Sequence, residues 1–316
     1  MRKACLDMVH ALARRDPRVV YIGSDPGPGT LDGMRKELPE RFFIEGISEA
    51  HVIGMSAGMA FEGHIPYVNT IATFITRRCF EQVAVDLCLH SLPARLIGNG
   101  GGLVYAPLGP THVAMEDIAI MRALPGMTIV CPTDAPEMNR FMEQTLDWPH
   151  PIYIRLAKGG DPVVSRAENG FAIGKAITMR AARSRRPVVI MATGVITTNA
   201  LKAAELLEKQ GIDASVVHFH TVKPLDETAV REHAENARLV VTAEEGVAIG
   251  GFGSAVTDFL VRTRGQSLPA LTRLALPDEF PKKYGSQNDH FEIYGLMPNQ
   301  IAASVSKALG KLELVA

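Results

Sequence analysis

The residue with the clearest capacity for chemistry is Glu49, a carboxylate that enters an apolar segment rich in glycine and alanine, residues 52–61. It has no basic neighbour in the sequence. Two interpretations stay open. Glu49 can complement the dipole at the start of a helix, or it can lie in an apolar pocket where burial raises its pKa, so that it exchanges a proton with a nitrogen base.

A second group of candidate residues follows in the segment 70–77. Ile71, Phe74 and Arg77 recur at three-residue spacing, which brings them close together on a helix or tight turn. An apolar residue, an aromatic ring and a cation so placed can sandwich a flat heterocycle. The alternative is an ordinary amphipathic helix with Phe74 in the core.

A third candidate is His112, which ends the motif Gly-Pro-Thr-His at 109–112 and follows the glycine run 100–102. Glycines let the backbone approach a ligand closely, and a histidine can shuttle a proton or bond a substrate oxygen near neutral pH. A lone histidine is more often structural, so a functional role for His112 depends on its position in this motif.

Composition narrows the classes of partner. The 316 residues carry 33 basic and 34 acidic side chains, a formal net charge of -1. This balance predicts no positive electrostatic field that would attract nucleic acid or an anionic membrane. We find neither a signal-peptide core nor an apolar run of membrane-spanning length, and we expect a cytoplasmic protein. The four cysteines lack the pairing of a zinc site and are expected to be buried thiols in a reducing compartment: Cys5, Cys79, Cys88 and Cys131.

The chain must position these residues on two α/β domains. Short apolar strands that alternate with helices are typical of a parallel sheet covered on both faces. In the first half we predict helices 3–15, 74–90, 115–124 and 135–146, and strands 19–23, 65–70, 94–97 and 128–130. In the second half we predict strands 188–192, 214–218 and 239–243, and helices 198–210, 228–234 and 253–262. The domains are expected at 1–165 and 187–316, with a polar, basic linker at 166–186.

Several motifs resemble one enzyme family. The segments 42–51 (FFIEGISEAH), 63–67 (GHIPY) and 109–112 (GPTH) resemble the pyrimidine-binding half of thiamine diphosphate-dependent transketolases. The segments 219–226 (FHTVKPLD) and 250–254 (GGFGS) resemble the C-terminal domain of deoxyxylulose-phosphate synthases and of the beta subunits of 2-oxoacid dehydrogenases. The resemblance implies a pyrimidine-binding (PYR) domain with a parallel sheet, followed by a smaller transketolase C-terminal-like α/β domain.

The resemblance also implies a cofactor, thiamine diphosphate, and roles for the residues that match the family. Glu49 would bond the ring nitrogen of the aminopyrimidine and so activate the cofactor. Phe74 would stack on the pyrimidine, and Ile71 and Arg77 would flank it. Asp25 falls where the family places an aspartate near the cofactor.

On the substrate side, the resemblance implies that His112 serves the substrate carbonyl or hydroxyl. Lys158 stands where the family carries a phosphate-binding arginine, or else it is a solvent-facing lysine. Leu108 replaces the family's acidic residue and glycines 100–101 replace a basic side chain, so donor recognition departs from the standard pattern. Tyr105 either supplies a substitute contact or only packs.

The family's metal motif, Gly-Asp-Gly followed by asparagine, does not occur in the sequence. The resemblance therefore implies that a separate N-terminal subunit holds the diphosphate and Mg²⁺, that the two form an α2β2 heterotetramer, and that this chain also self-associates. The reaction implied is transfer of a two-carbon ketol, or another acyl-anion equivalent, from a ketose or 2-oxo acid to an aldehyde. Two alternatives stay open: a beta subunit of a 2-oxoacid dehydrogenase, and a non-catalytic scaffold.

Overall fold

The computed structural model describes residues 1–24, 29–265 and 268–314, so Asp25 lies outside the described residues. The helices are α1 Arg2–Arg15, α2 Asp32–Glu37, α3 Glu49–Phe61, α4 Phe80–Gln82, α5 Asp117–Ala123, α6 Ala135–Met142, α7 Ile196–Glu208, α8 Glu227–Glu235, α9 Phe252–Arg264, α10 Gln287–Ile293 and α11 Pro298–Glu313. The strands are β1 Val19–Ser24, β2 Phe42–Glu45, β3 Ile65–Ile71, β4 Arg95–Asn99, β5 Thr128–Val130, β6 Ile152–Leu156, β7 Ile177–Arg180, β8 Val188–Ala192, β9 Ala214–His218, β10 Thr221–Lys223, β11 Leu239–Val247 and β12 Leu271–Leu276.

The first sheet has the strand order β10-β5-β6-β4-β3-β1-β2, and its strands run parallel except for β10. Successive side chains of a strand point to opposite faces. On one face Tyr21 packs with α1 and α6, and on the other Ile22 packs with α3. Burial on both faces explains the continuous apolar run of β1, which is buried along its whole length.

The second sheet has the order β12-β11-β8-β9-β7, and only β7 runs antiparallel to its neighbour. Because β7 pairs with β9, the segment predicted as a linker, 166–186, contains a strand of the second sheet and is not a linker throughout. The second half of the chain also donates β10 to the edge of the first sheet, where Thr221 aligns with Val130. The two halves therefore share a sheet edge as well as a core cluster.

The predicted helix 74–90 is interrupted. Its ends, Phe74–Arg78 and Val83–Cys88, are π-helical, and only the short α4 between them is α-helical. The Thr76 hydroxyl donates to the Ala72 carbonyl oxygen at 2.8 Å, a backbone contact that competes with the α-helical pattern. A π-turn is wider than an α-turn and often marks a functional site.

Candidate active site

The candidate residues gather at the carboxyl edge of the first sheet. Strands β1, β3, β4 and β6 are parallel and end at Ser24, Ile71, Asn99 and Leu156, so the segments that follow them meet at one edge. In open α/β sheets, ligands bind at this edge. Ile71 lies there as the last residue of β3, half-buried and aligned with Asn99.

Glu49 is the first residue of α3 and is only 5% exposed. Its carboxylate accepts a hydrogen bond from the Ser24 hydroxyl at 3.4 Å and pairs with the Arg78 guanidinium at 3.2 Å. Ser48, at the N-cap, makes no side-chain capping bond. The carboxylate is thus directed toward the sheet edge, next to a cation that lies 29 residues away in sequence.

Phe74 supplies the aromatic ring next to Glu49 and contacts both Arg78 and His112. The Arg78 guanidinium lies over its ring, 3.8 Å from the centroid, and the His112 imidazole meets it edge-on at 5.3 Å between centroids. Nδ1 of His112 lies 2.9 Å from the Thr111 hydroxyl. Glu49, Phe74 and His112 therefore share one site, with a planar cation between the carboxylate and the aromatic ring.

Arg77 does not lie beside the Phe74 ring, where its spacing predicted it. Its guanidinium pairs with the Glu116 carboxylate, donates to the Val113 carbonyl oxygen at 2.9 Å, and lies 5.9 Å from the Phe280 ring centroid. The expectation used three-residue spacing, whereas the residue over the Phe74 ring is Arg78, four residues on, in a segment that is π-helical. The sequence signal for Arg78 was the pair of consecutive arginines after the aromatic residue.

The glycine run 100–102 is filled by the protein's own side chains. A methyl group added at these three positions would come within 2.1 Å of the Tyr105 ring, 2.3 Å of Arg155 Cγ and 2.4 Å of the Glu245 carboxyl carbon, respectively. The glycines thus make room for internal packing, which corrects the interpretation that they open the backbone to a ligand. For Tyr105 the contact favours the packing role.

Beneath the glycine run lies a buried ionic network that joins the two halves of the chain. Arg155 pairs with Asp117 at 2.8 Å and donates to the Glu245 carbonyl oxygen at 2.6 Å. The Glu245 carboxylate accepts bonds from the Leu103 amide and the Gln287 side chain, both at 2.7 Å. Burial raises the pKa of Glu245 to about 7. Sequence reasoning missed this network, whose members are far apart in the chain.

Lys158 lies just beyond the end of β6, and its side chain is exposed. It stands near the same sheet edge, but it faces solvent. Over the described parts of the chain, no group of three or more His, Cys, Asp or Glu residues is placed to hold a metal ion. Within the same residues, no helix has the length and apolar character needed to cross a bilayer. All four cysteines are unpaired and buried.

Comparison with protein families now adds to this geometry. Residues 1–160 match the pyrimidine binding domain of transketolase, and residues 178–301 match the transketolase C-terminal domain. The chain belongs to the transketolase family. Both the resemblance and the predicted fold class are confirmed: a pyrimidine-binding domain with a mainly parallel sheet, followed by a transketolase C-terminal domain.

Several relatives of this transketolase-family chain are split subunits. It is 35% identical over 282 residues, 89% of this chain and 85% of the relative, to the 6-deoxy-6-sulfo-D-fructose transketolase subunit SqwH of Clostridium sp. (strain MSTE9). It is 34% identical over 297 residues, 93% of each, to one subunit of the apulose-4-phosphate transketolase of Phocaeicola vulgatus. A solved structure described as a split gene transketolase, inactive beta4 tetramer, superposes with a TM-score of 0.88 at 33% identity and covers 98% of both chains. The family is one of thiamine diphosphate-dependent transferases.

Proposed function

We propose that this chain is the C-terminal subunit of a split transketolase. With a separate diphosphate-binding subunit, it would transfer a two-carbon ketol, or an acyl-anion equivalent, from a ketose or 2-oxo acid to an aldehyde acceptor. The single observation that carries the proposal is the meeting of Glu49, Phe74 and His112 at the carboxyl edge of the parallel sheet.

The residues fit the pyrimidine end of thiamine diphosphate. The Phe74 ring already carries a planar, cationic group, and the Glu49 carboxylate lies beside that group, 3.2 Å from it. An aminopyrimidine is also planar and offers a ring nitrogen to a carboxylate. Thiamine diphosphate, when bound, supplies the carbanion equivalent that ketol transfer needs.

We assign the following roles to this chain's residues. Glu49 holds a proton at the pyrimidine nitrogen, Phe74 stacks on the pyrimidine, and Ile71 lies beside it at the end of β3. His112 bonds the substrate carbonyl or hydroxyl and moves its proton. Arg78 keeps the Glu49 carboxylate paired when no cofactor is bound.

Three assignments rest on sequence position more than on contacts. Lys158 is exposed at the sheet edge, where it can attract a distal phosphate as a point charge. Tyr105 packs against Gly100 and so supports the loop that would border the substrate. Asp25 stays a prediction for the cofactor site. Arg77, bound to Glu116, shapes the wall of the site and does not itself flank the pyrimidine.

The proposal includes a partner, because relatives that this chain matches along 85% and 93% of their length are described as transketolase subunits. The partner would bind the diphosphate and Mg²⁺ and would join this chain in an α2β2 heterotetramer, in which copies of this chain also contact each other. Split-subunit relatives support this arrangement. A cytoplasmic location agrees with four buried, unpaired thiols.

The test combines the chain with its diphosphate-binding subunit, thiamine diphosphate, Mg²⁺, a ketose donor and an aldehyde acceptor. We expect Glu49→Gln to lower turnover by a factor on the order of 10²–10⁴, the range for loss of a positioned proton-transfer group. The free energy of unfolding of Glu49→Gln should stay within about 1 kcal/mol of the wild-type value. The reason is that Arg78, the ion-pair partner of Glu49, is half exposed.

Glu62→Gln is the matched control, since Glu62 is exposed at the other end of the same helix. It should keep full turnover. Undiminished turnover in Glu49→Gln would refute the assignment. Reduction of lipoamide in place of transfer to aldehydes would identify the alternative enzyme class, a 2-oxoacid dehydrogenase subunit.

A further inference from the structure

The second domain touches the candidate active site through the segment 278–287, which joins β12 to α10. Two of its side chains, those of Phe280 and Tyr284, reach the first domain directly, and Gln287 reaches it through Glu245 of its own domain. The Phe280 ring lies 5.9 Å from the Arg77 guanidinium, Tyr284 contacts Gly109, and Gln287 donates to the Glu245 carboxylate that also holds the Leu103 amide. This segment therefore borders the loop 103–113, which carries His112.

The contact of Tyr284 is the closest to His112 along the chain. Gly109 has φ +82°, and a methyl group added to it would lie 2.8 Å from Cε1 and 3.3 Å from the hydroxyl oxygen of Tyr284. The tip of the ring thus packs against the Gly109 backbone. Gly109 starts a turn in which its carbonyl oxygen accepts the His112 amide at 3.0 Å.

The same turn is held from the other side by the first domain. Thr73 and Arg77 both donate to the Val113 carbonyl oxygen, at 2.8 and 2.9 Å, and the His112 ring meets the Phe74 ring. The turn 109–112 is thus clamped between the π-turn beside Glu49 and the second domain. Although it makes this contact, Tyr284 is 73% exposed, so its substitution removes little of the core.

We propose that Tyr284 is a positioning residue of the second domain, which fixes the turn 109–112 so that His112 meets the substrate. The proposal rests on the function proposed above for His112. Tyr284 acts through ring packing against Gly109. Its loss frees the turn and weakens substrate engagement, while cofactor binding at Glu49 and Phe74 is unchanged.

The first measurement uses the isolated chain and needs no activity. Hydrogen exchange, followed by mass spectrometry of peptides that cover 103–113, should be about tenfold faster in Tyr284→Ala than in wild type, because the turn opens locally more often. Tyr284→Phe should exchange like wild type, because it keeps the ring. Val261→Ala, an exposed position on α9 of the same domain, is the control and should also match wild type.

The second measurement uses the assembled enzyme. We expect Tyr284→Ala to raise the KM for the aldehyde acceptor about tenfold, since small misplacements of a substrate-binding group are costly, with rescue in Tyr284→Phe. The dissociation constant of thiamine diphosphate should not change. Equal exchange in Tyr284→Ala and wild type would overturn the positioning role, and faster exchange without a change in KM would overturn its link to substrate. A wild-type complex without transferase activity would refute the proposed function, while the exchange result would still decide the role of Tyr284 in the turn.

Discussion

The buried pair of Asp117 and Arg155 offers the sharpest test of the ionic network at the junction of the two domains. Asp117 is fully buried and Arg155 is 6% exposed. The carboxylate accepts bonds from Arg155 Nε at 2.8 Å, from Arg155 Nη2 at 3.1 Å and from the Tyr153 hydroxyl at 2.7 Å. Asp117→Ala would leave a buried guanidinium and a buried phenol without this partner.

The loss of unfolding free energy in Asp117→Ala depends on the bonds that Arg155 keeps. Removing one member of a buried ion pair costs about 3–5 kcal/mol, because the other charge stays desolvated and unpaired. Arg155 keeps its bond to the Glu245 carbonyl oxygen at 2.6 Å, which places the expected loss near the lower end, about 3 kcal/mol. A loss of that size is a large part of a typical stability of about 5–15 kcal/mol.

The assay is urea unfolding of the isolated chain, followed by circular dichroism. In the double variant Asp117→Ala/Arg155→Met the stranded charge is gone, so it should recover much of the stability lost in Asp117→Ala. Glu143→Ala is the control, because it breaks an exposed pair with Arg15 and should hardly move the midpoint. A loss below about 1 kcal/mol in Asp117→Ala, or a double variant less stable than both single variants, would refute the reasoning.

Two further predictions concern the same junction. The pKa of Glu245 in the folded chain is about 7, above its usual 4.5. The contribution of Glu245 to stability is therefore complete below pH 4.5 and is lost as the pH rises to 7. The free energy of unfolding of wild type should fall by about 1–3 kcal/mol between pH 5 and pH 7. Urea unfolding at both pH values should find no such loss in Glu245→Gln, and an unchanged slope in that variant would assign the titration to another group. Gly101→Ala places a methyl group 2.3 Å from Arg155 Cγ and should cost about 1–3 kcal/mol. Gly310→Ala, with open space around it, should cost nothing, and equal shifts in the two midpoints would contradict the packing argument.

Much of the fold could be predicted because local patterns and global packing agree. The continuous apolar run at 19–23 predicted a buried strand, and β1 is buried on both faces of a parallel sheet. Glu49 falls at the carboxyl edge because α3 follows β2, which runs parallel to β1. Its buried environment could be predicted from the apolar segment that follows it.

The cation beside Glu49 could not be predicted in the same way. Three-residue spacing pointed to Arg77, whereas Arg78, four residues after Phe74, lies over its ring in a segment that is π-helical. Residues three and four apart are both neighbours on a helix, so spacing alone did not decide which of the two consecutive arginines lies over the ring.

Glycines pose a related difficulty, and it bears on substrate choice. A glycine run indicates that something comes close to the backbone, but not whether it is a ligand or another part of the same chain. At 100–102 the close groups are Tyr105, Arg155 and Glu245, so the loop is packed solid by both domains. The remaining surface of the loop presents Leu108, which is 53% exposed, and the turn that ends in His112. The loop 103–113 carries no Asp, Glu, Lys or Arg side chain. Under the proposed function, what this loop offers a substrate is therefore His112, in a turn that the segment 278–287 of the second domain contacts at Gly109.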